Sequence, residues 1–206
     1  MTPQKLTIAT LALAVLVVAA VLIVPRLGSR AAELDLTGRP ALGAADAPVT
    51  IAIFEDFRCP ACGQFDATVL PDLKRAYVDT GQARLVFFHF PVLGPASDHV
   101  ARIGVCVAEQ SNDAFWDMKS PLYRAQTELD TARRAEDLAL TYAPGVDEAA
   151  FRTCLASDES LAAVRADRTL ATELNLRGTP AVIVNDSVLA SATLAEVRRA
   201  VDAALR

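Results

Sequence analysis

Two cysteines with two residues between them, Cys59-Pro60-Ala61-Cys62, can exchange a disulfide with an outside thiol if one sulfur is a thiolate and the other lies within reach. The residues before them, Val49-Thr50-Ile51-Ala52-Ile53-Phe54, form an apolar, β-prone run, and those after them read as a helix. Pro60 suits the first helical position, where its fixed φ is pre-set and its missing N–H would have had no partner. Cys59 is thereby placed at a helix N-terminus, where free backbone N–H groups and the aligned peptide dipoles favour negative charge on the sulfur. Cys62 follows on the first turn, close enough to resolve a bond made at Cys59.

The same spacing also serves zinc sites and inert disulfides. Zinc requires a second half, and Cys106, Cys154, His89 and His99 form neither a second CxxC nor an HxxxH. A static Cys59–Cys62 bridge would close too short a loop to gain much stability. Far downstream lies Arg177-Gly178-Thr179-Pro180, ahead of the β-run Ala181-Val182-Ile183-Val184 and the turn pair Asn185-Asp186. A proline there must start or edge a strand, because it cannot donate to a ladder.

The passage Phe54-Glu55-Asp56-Phe57-Arg58-Cys59-Pro60-Ala61-Cys62-Gly63-Gln64-Phe65, with Gly178-Thr179-Pro180 later, resembles the DsbA-like branch of the thioredoxin superfamily from about Gly38 to the C-terminus. The resemblance implies an exposed attacking sulfur at Cys59 and a more buried resolving one at Cys62. It also implies a cis bond before Pro180, a contact of Pro180 with the reactive pair, and a substrate-facing backbone at Thr179. Pro60 and Ala61 then support the site from between the sulfurs. Strongly oxidising members of that branch carry a His between the cysteines, whereas Pro60-Ala61 offers no side-chain donor. Reference potentials run from about −270 mV for thioredoxin to about −120 mV for DsbA, and the pair belongs somewhere within that range. Thioredoxins keep a buried carboxylate six residues before the first cysteine, where this chain has Ile53. The acids here are Glu55 and Asp56, each able to relay a proton to Cys62 or to orient the turn, with Asp56 suited to local turn bonding. Arg58 either assists the thiolate or is simply solvated.

The expected fold is α/β: a thioredoxin-like fold with an inserted helical domain, preceded by one N-terminal transmembrane helix. A second strand is predicted at Ala83-Arg84-Leu85-Val86-Phe87-Phe88-His89-Phe90, a terminal hairpin at 182–189, and a last helix from the capping box Thr193-Leu194-Ala195-Glu196. Leu194, Val197, Val201 and Leu205 share one face of that helix and pack it onto the sheet. Between the strands, residues 95–172 repeat apolar positions at helical spacing, divided near Asn112-Asp113, Pro144-Gly145 and Asp147. Phe115, Trp116 and Tyr123 read as core of this insertion rather than as a substrate groove. His89 and His99 stand apart from any nucleophile and read as satisfied core or surface groups.

The nineteen residues 6–24 carry no charge and, at about 1.5 Å per residue, reach across a hydrocarbon layer as a helix. The run is longer than the core of a cleaved signal, so residues 1–26 read as an uncleaved signal anchor, with cleavage near Ser29-x-Ala31 as the alternative. Residues 27–46 read as a linker and lead-in, and 47–206 as the DsbA-like domain. Lys5 on one side and Arg26 and Arg30 on the other leave orientation undecided by charge. Four cysteines favour an oxidising space, which puts the catalytic domain on the extracytoplasmic side of the cell membrane, periplasmic or outer. There Cys106 and Cys154, on apolar helical faces, are expected to form a structural disulfide, with two free buried thiols as the alternative. Its loop of about fifty residues would remove on the order of 4 kcal/mol of unfolded-chain entropy.

Net charge is −5, with no basic cluster or interleaved aromatics, which argues against nucleic acid as a partner. The implied activity is thiol–disulfide exchange on exported proteins, most simply as a dithiol oxidase. Reductase or isomerase use of the same sulfurs differs only in potential and recharging partner. A non-catalytic, membrane-tethered client-binding module is the rival from another class. The chemistry calls for no metal or bound organic cofactor, and a membrane redox partner for recharging is implied by the resemblance.

Overall fold

The computed structural model describes residues 34–206. The segment 6–24 and the anchor reading attached to it lie outside them. Among the described residues no helix is long and apolar enough to cross a membrane.

Five strands form one sheet: β1 (Ala41–Leu42), β2 (Val49–Glu55), β3 (Ala83–His89), β4 (Ala181–Val184) and β5 (Ser187–Val188), in the order β1-β3-β2-β4-β5. β2 and β3 are parallel and the other pairings antiparallel. Five consecutive residues of β2, from Ile51 to Glu55, are buried, because both faces of the sheet are covered. Ile51 and Ile53 share the face of Leu85 and Phe87, while Phe54 stacks on Phe88 with ring centroids 4.4 Å apart. Asn185, at φ 50°, turns the chain tightly between β4 and β5, a backbone state that Asn tolerates. β1 lies inside the segment read as linker. Its docking on β3 is supported by the bond from the Phe87 amide to the Pro40 carbonyl.

The parallel β2–β3 pair needs a crossover, supplied by α1 (Pro60–Thr68), α2 (Leu70–Leu73) and a π-helical turn, Lys74–Val78. Between β3 and β4 the chain builds α3 (Pro95–Gln110), α4 (Asn112–Arg124), α5 (Ala132–Tyr142), α6 (Glu148–Ala156) and α7 (Asp158–Glu173), with a 3-10 turn at Gln126–Glu128. Side chains of Ser111, Thr131, Asp147 and Ser157 each accept a backbone N–H at a helix start, which is why the insertion divides where it does. The last helix, α8 (Leu194–Ala204), is capped by Thr193 and buries Val197 and Val201 against β2 and β4. Phe87, Phe115, Met118 and Leu122 join sheet and insertion in one continuous core. Phe115 and Tyr123 lie inside it, and Trp116 is packed against it.

His89 departs from the reading of a satisfied histidine. Its ring is buried against Phe57, Phe87 and Phe115, and neither ring nitrogen has a hydrogen-bond partner. Burial, and then the nearby Arg39 charge, push its pKa down to about 3, so the imidazole stays neutral. Gly104 makes room for it, since a Cβ there would run into the His89 ring. His99 instead pairs with Glu136 at 3.0 Å.

Candidate active site

β2 ends at Glu55, and within four residues the chain turns into α1. Cys59 is the N-cap of that helix with extended φ and ψ, and Pro60 is its first residue. The Cys59 amide bonds back to the Asp56 carbonyl at 3.0 Å, and the Cys59 carbonyl accepts from Cys62 and Gly63 at 3.0 and 3.2 Å. This tight double turn leaves Cys59 partly exposed, with Pro60 and Ala61 outside, while Cys62 is fully buried. The Thr179–Pro180 bond is cis, and the Cys59 thiol donates to the Thr179 carbonyl at 3.4 Å. Two segments separated by 120 residues in sequence thus meet at one sulfur.

Both acids before the motif are buried, so strand alternation could not have told them apart. Asp56 is occupied by backbone: one oxygen accepts from the Arg58 amide at 2.8 Å, the other from Val92 and Leu93 at 2.8 and 3.2 Å. It therefore ties the redox turn to the loop after β3. Glu55 faces the insertion, where Lys119 Nζ meets it at 2.8 Å and the Tyr123 hydroxyl donates to it at 3.0 Å. Lys119 also bonds Asp66 at 2.7 Å, closing a buried Glu55–Lys119–Asp66 cluster beneath the motif. Burial raises the Glu55 carboxyl above its ordinary range, and Lys119 offsets only part of that. Burial alone would push Lys119 down, but the two carboxylates outweigh it and hold the ammonium charged. The Cys62 thiol is pushed far up, first by burial and then by the Glu55 charge, with partial relief from Asp56 backbone and the Thr179 side chain. Cys62 is thus kept as a thiol unless a proton acceptor takes its hydrogen.

Arg58 is not simply solvated, because its guanidinium is held by Asp130. Cys106 and Cys154 are joined, with Cα atoms 5.6 Å apart, which removes both from any metal-ligand set. Lys119, Asp66, Gln126 and Asp130 belong to no motif in the sequence. The one available signal was a lysine among the apolar positions of an amphipathic helix, since a lysine on such a face requires buried carboxylates.

The thioredoxin family matches residues 36–203 of this chain. It belongs to the DsbA-like branch of the thioredoxin superfamily. A Bacillus anthracis protein named "Probable disulfide bond formation protein D" is 37% identical over 169 residues, covering 80% of this chain and 77% of the relative. The crystal structure of oxidised BdbD from Bacillus subtilis superposes with a TM-score of 0.75 at 27% identity, over 84% of this chain and 96% of that one. Wolbachia pipientis alpha-DsbA1 shares the fold, with a TM-score of 0.71 at 19% identity, over 84% of this chain and 93% of that one. As a DsbA-like protein this chain is a thiol–disulfide oxidoreductase, and its thioredoxin-like sheet carries the helical insertion between β3 and β4.

Proposed function

We propose that the chain is a dithiol oxidase that introduces disulfides into exported proteins through a mixed disulfide at Cys59. One observation carries the reading: a partly exposed sulfur at a helix N-terminus lies 3.4 Å from the Thr179 carbonyl, with its buried partner on the next turn. In the oxidised enzyme a client thiolate attacks Cys59 Sγ. The client–Cys59 bond forms, the Cys59–Cys62 bond breaks, and its electron pair goes to Cys62 Sγ, which takes up a proton. A second client thiolate then attacks the client sulfur, which yields the client disulfide and leaves Cys59 as the thiolate. Two electrons stay on the enzyme, and a membrane redox partner accepts them.

The charge stages differ at the two sulfurs. A negative sulfur at Cys59 is favoured by the start of α1. At Cys62 burial penalises the anion, so the leaving sulfur needs a proton, and we assign that proton to Glu55, whose charge acts on Cys62 and whose carboxyl pKa is raised by burial. An extracytoplasmic setting is supported by the Cys106–Cys154 bridge, since such bonds persist in oxidising compartments, and the anchor reading rests on the uncharged length of segment 6–24.

Cys62→Ser is expected to accumulate client mixed disulfides at Cys59, and Cys59→Ser to form none, read by non-reducing gels and mass spectrometry of cells expressing each. Equilibration of the full chain with glutathione should give a potential more oxidising than about −200 mV, and a value near −270 mV would reverse the assigned direction.

A further inference from the structure

Gln126 sits in the 3-10 turn between α4 and α5, 67 residues from Cys59 in sequence. Its side-chain nitrogen donates to the Phe57 carbonyl and to the Cys59 carbonyl, each at 2.8 Å. Both neighbours are acceptors only, so the amide must present its two hydrogens to them, one to each. Four residues further on, Asp130 holds the guanidinium of Arg58. The connection 126–130 therefore grips the redox turn at Phe57, Arg58 and Cys59 in succession. Gly63 completes the arrangement, because a Cβ at that position would stand 3.1 Å from Gln126 Oε1 and press the amide back by a few tenths of an ångström.

We infer that Gln126 is a positioning residue that sets the redox equilibrium of the Cys59–Cys62 pair by neutralising the two carbonyls that frame Cys59. Without Gln126 the Phe57 carbonyl loses this donor and the Cys59 carbonyl keeps only the Cys62 and Gly63 amides, so the turn on which the sulfur sits is held less firmly. The turn then either opens or leaves the thiolate less stabilised, and both make the pair a weaker oxidant. The helical insertion thereby reaches the backbone of the redox turn through one side chain, beside the Asp130 hold on Arg58. This inference rests on Cys59 being the attacking sulfur.

The test uses the full-length chain, with two readouts: the equilibrium constant with glutathione, and the pH profile of Cys59 alkylation by iodoacetamide. Gln126→Ala should move the equilibrium constant toward the disulfide, making the pair less oxidising, by about three- to tenfold, the size expected for loss of a neutral hydrogen bond. Alkylation below neutral pH should slow by a similar factor. Gly63→Ala should shift both readouts in the same direction, although alanine favours a helix more than glycine does. In the double variant the two effects should not add, because the Gly63 change acts only through the amide that the Gln126 change removes. An unchanged equilibrium constant and alkylation profile in Gly63→Ala, or additive shifts in the double variant, would overturn the assignment even if Gln126→Ala fails to fold. Exchange that survives Cys59→Ser would instead sink the underlying site reading, and so is distinguishable from failure of this one.

Discussion

Burial opposes ionisation of both Glu55 and Cys62, and in the proposed mechanism Glu55 is the source of the proton that Cys62 takes up. Replacing Glu55 by Gln keeps the shape and removes the exchangeable proton. The step in which Cys62 leaves is expected to slow by roughly tenfold to hundredfold, measured as the pre-steady-state rate of mixed-disulfide formation with a model peptide thiol. With Glu55 present, that rate, corrected for client thiolate, should fall as pH rises through its raised ionisation. In Glu55→Gln the fall should vanish. The acid pair before the motif shows what strand alternation can and cannot supply. Alternation puts Glu55 and Asp56 on opposite faces but says nothing of which is buried, and with both faces covered the answer is both.

Among the elements, α3 is constrained at two positions on its buried side. It presents Gly104 to the His89 ring and Cys106 to the bridge. In an exposed helix, Gly→Ala would stabilise, yet Gly104→Ala is expected to destabilise by about 1–3 kcal/mol because the new methyl collides with His89 and Phe57. Denaturant unfolding followed by Trp116 fluorescence would read this out. The bridge joins α3 to α6 across 48 residues, and replacing both Cys106 and Cys154 by Ser should cost about 2–4 kcal/mol while glutathione exchange at Cys59 continues. Loss of exchange together with stability would mean that the bridge acts on the site. The helices themselves were legible from periodicity and caps, since Ser, Thr and Asp at their starts meet local backbone needs.

At the level of the whole molecule, Arg39, Asp167 and His89 join three distant parts of the chain. Asp167, on α7, accepts the His89 backbone amide at 2.8 Å and pairs with Arg39, from the segment before β1, at 2.8 Å. Burial raises the Asp167 pKa to about 6, against the opposing pull of Arg39 and the His89 amide. Its folded-state pKa exceeds the unfolded value near 3.8, so its favourable contribution is complete below pH 3.8 and lost as pH rises through about 6. His89 runs the other way: its pKa falls to about 3, so its contribution is present above about 6.5 and lost on acidification. Between pH 6 and 4 the two oppose one another. Asp167→Asn should therefore lose stability more steeply over that window than the unaltered chain, by an amount on the order of 3 kcal/mol. Thermal or urea midpoints measured from pH 4 to 7 would show it, and parallel curves for the two proteins would refute it.

The thiol pair at a helix start, the strand before it, the proline-led strand far downstream and the division of the insertion into helices were all readable from residue order. Each depends on interactions within a few positions: a turn, a cap, a fixed φ, a repeat of apolar side chains. The surroundings of the sulfurs were not. Lys119 lies 53 residues from Asp66, Tyr123 lies 68 from Glu55, and Gln126 lies 67 from Cys59. Such meetings depend on how the insertion docks over the sheet, and no local preference of the residues concerned encodes that docking. Burial raises the Glu55 carboxyl, and two buried carboxylates hold Lys119 charged against its own burial; both effects exist only in the folded chain.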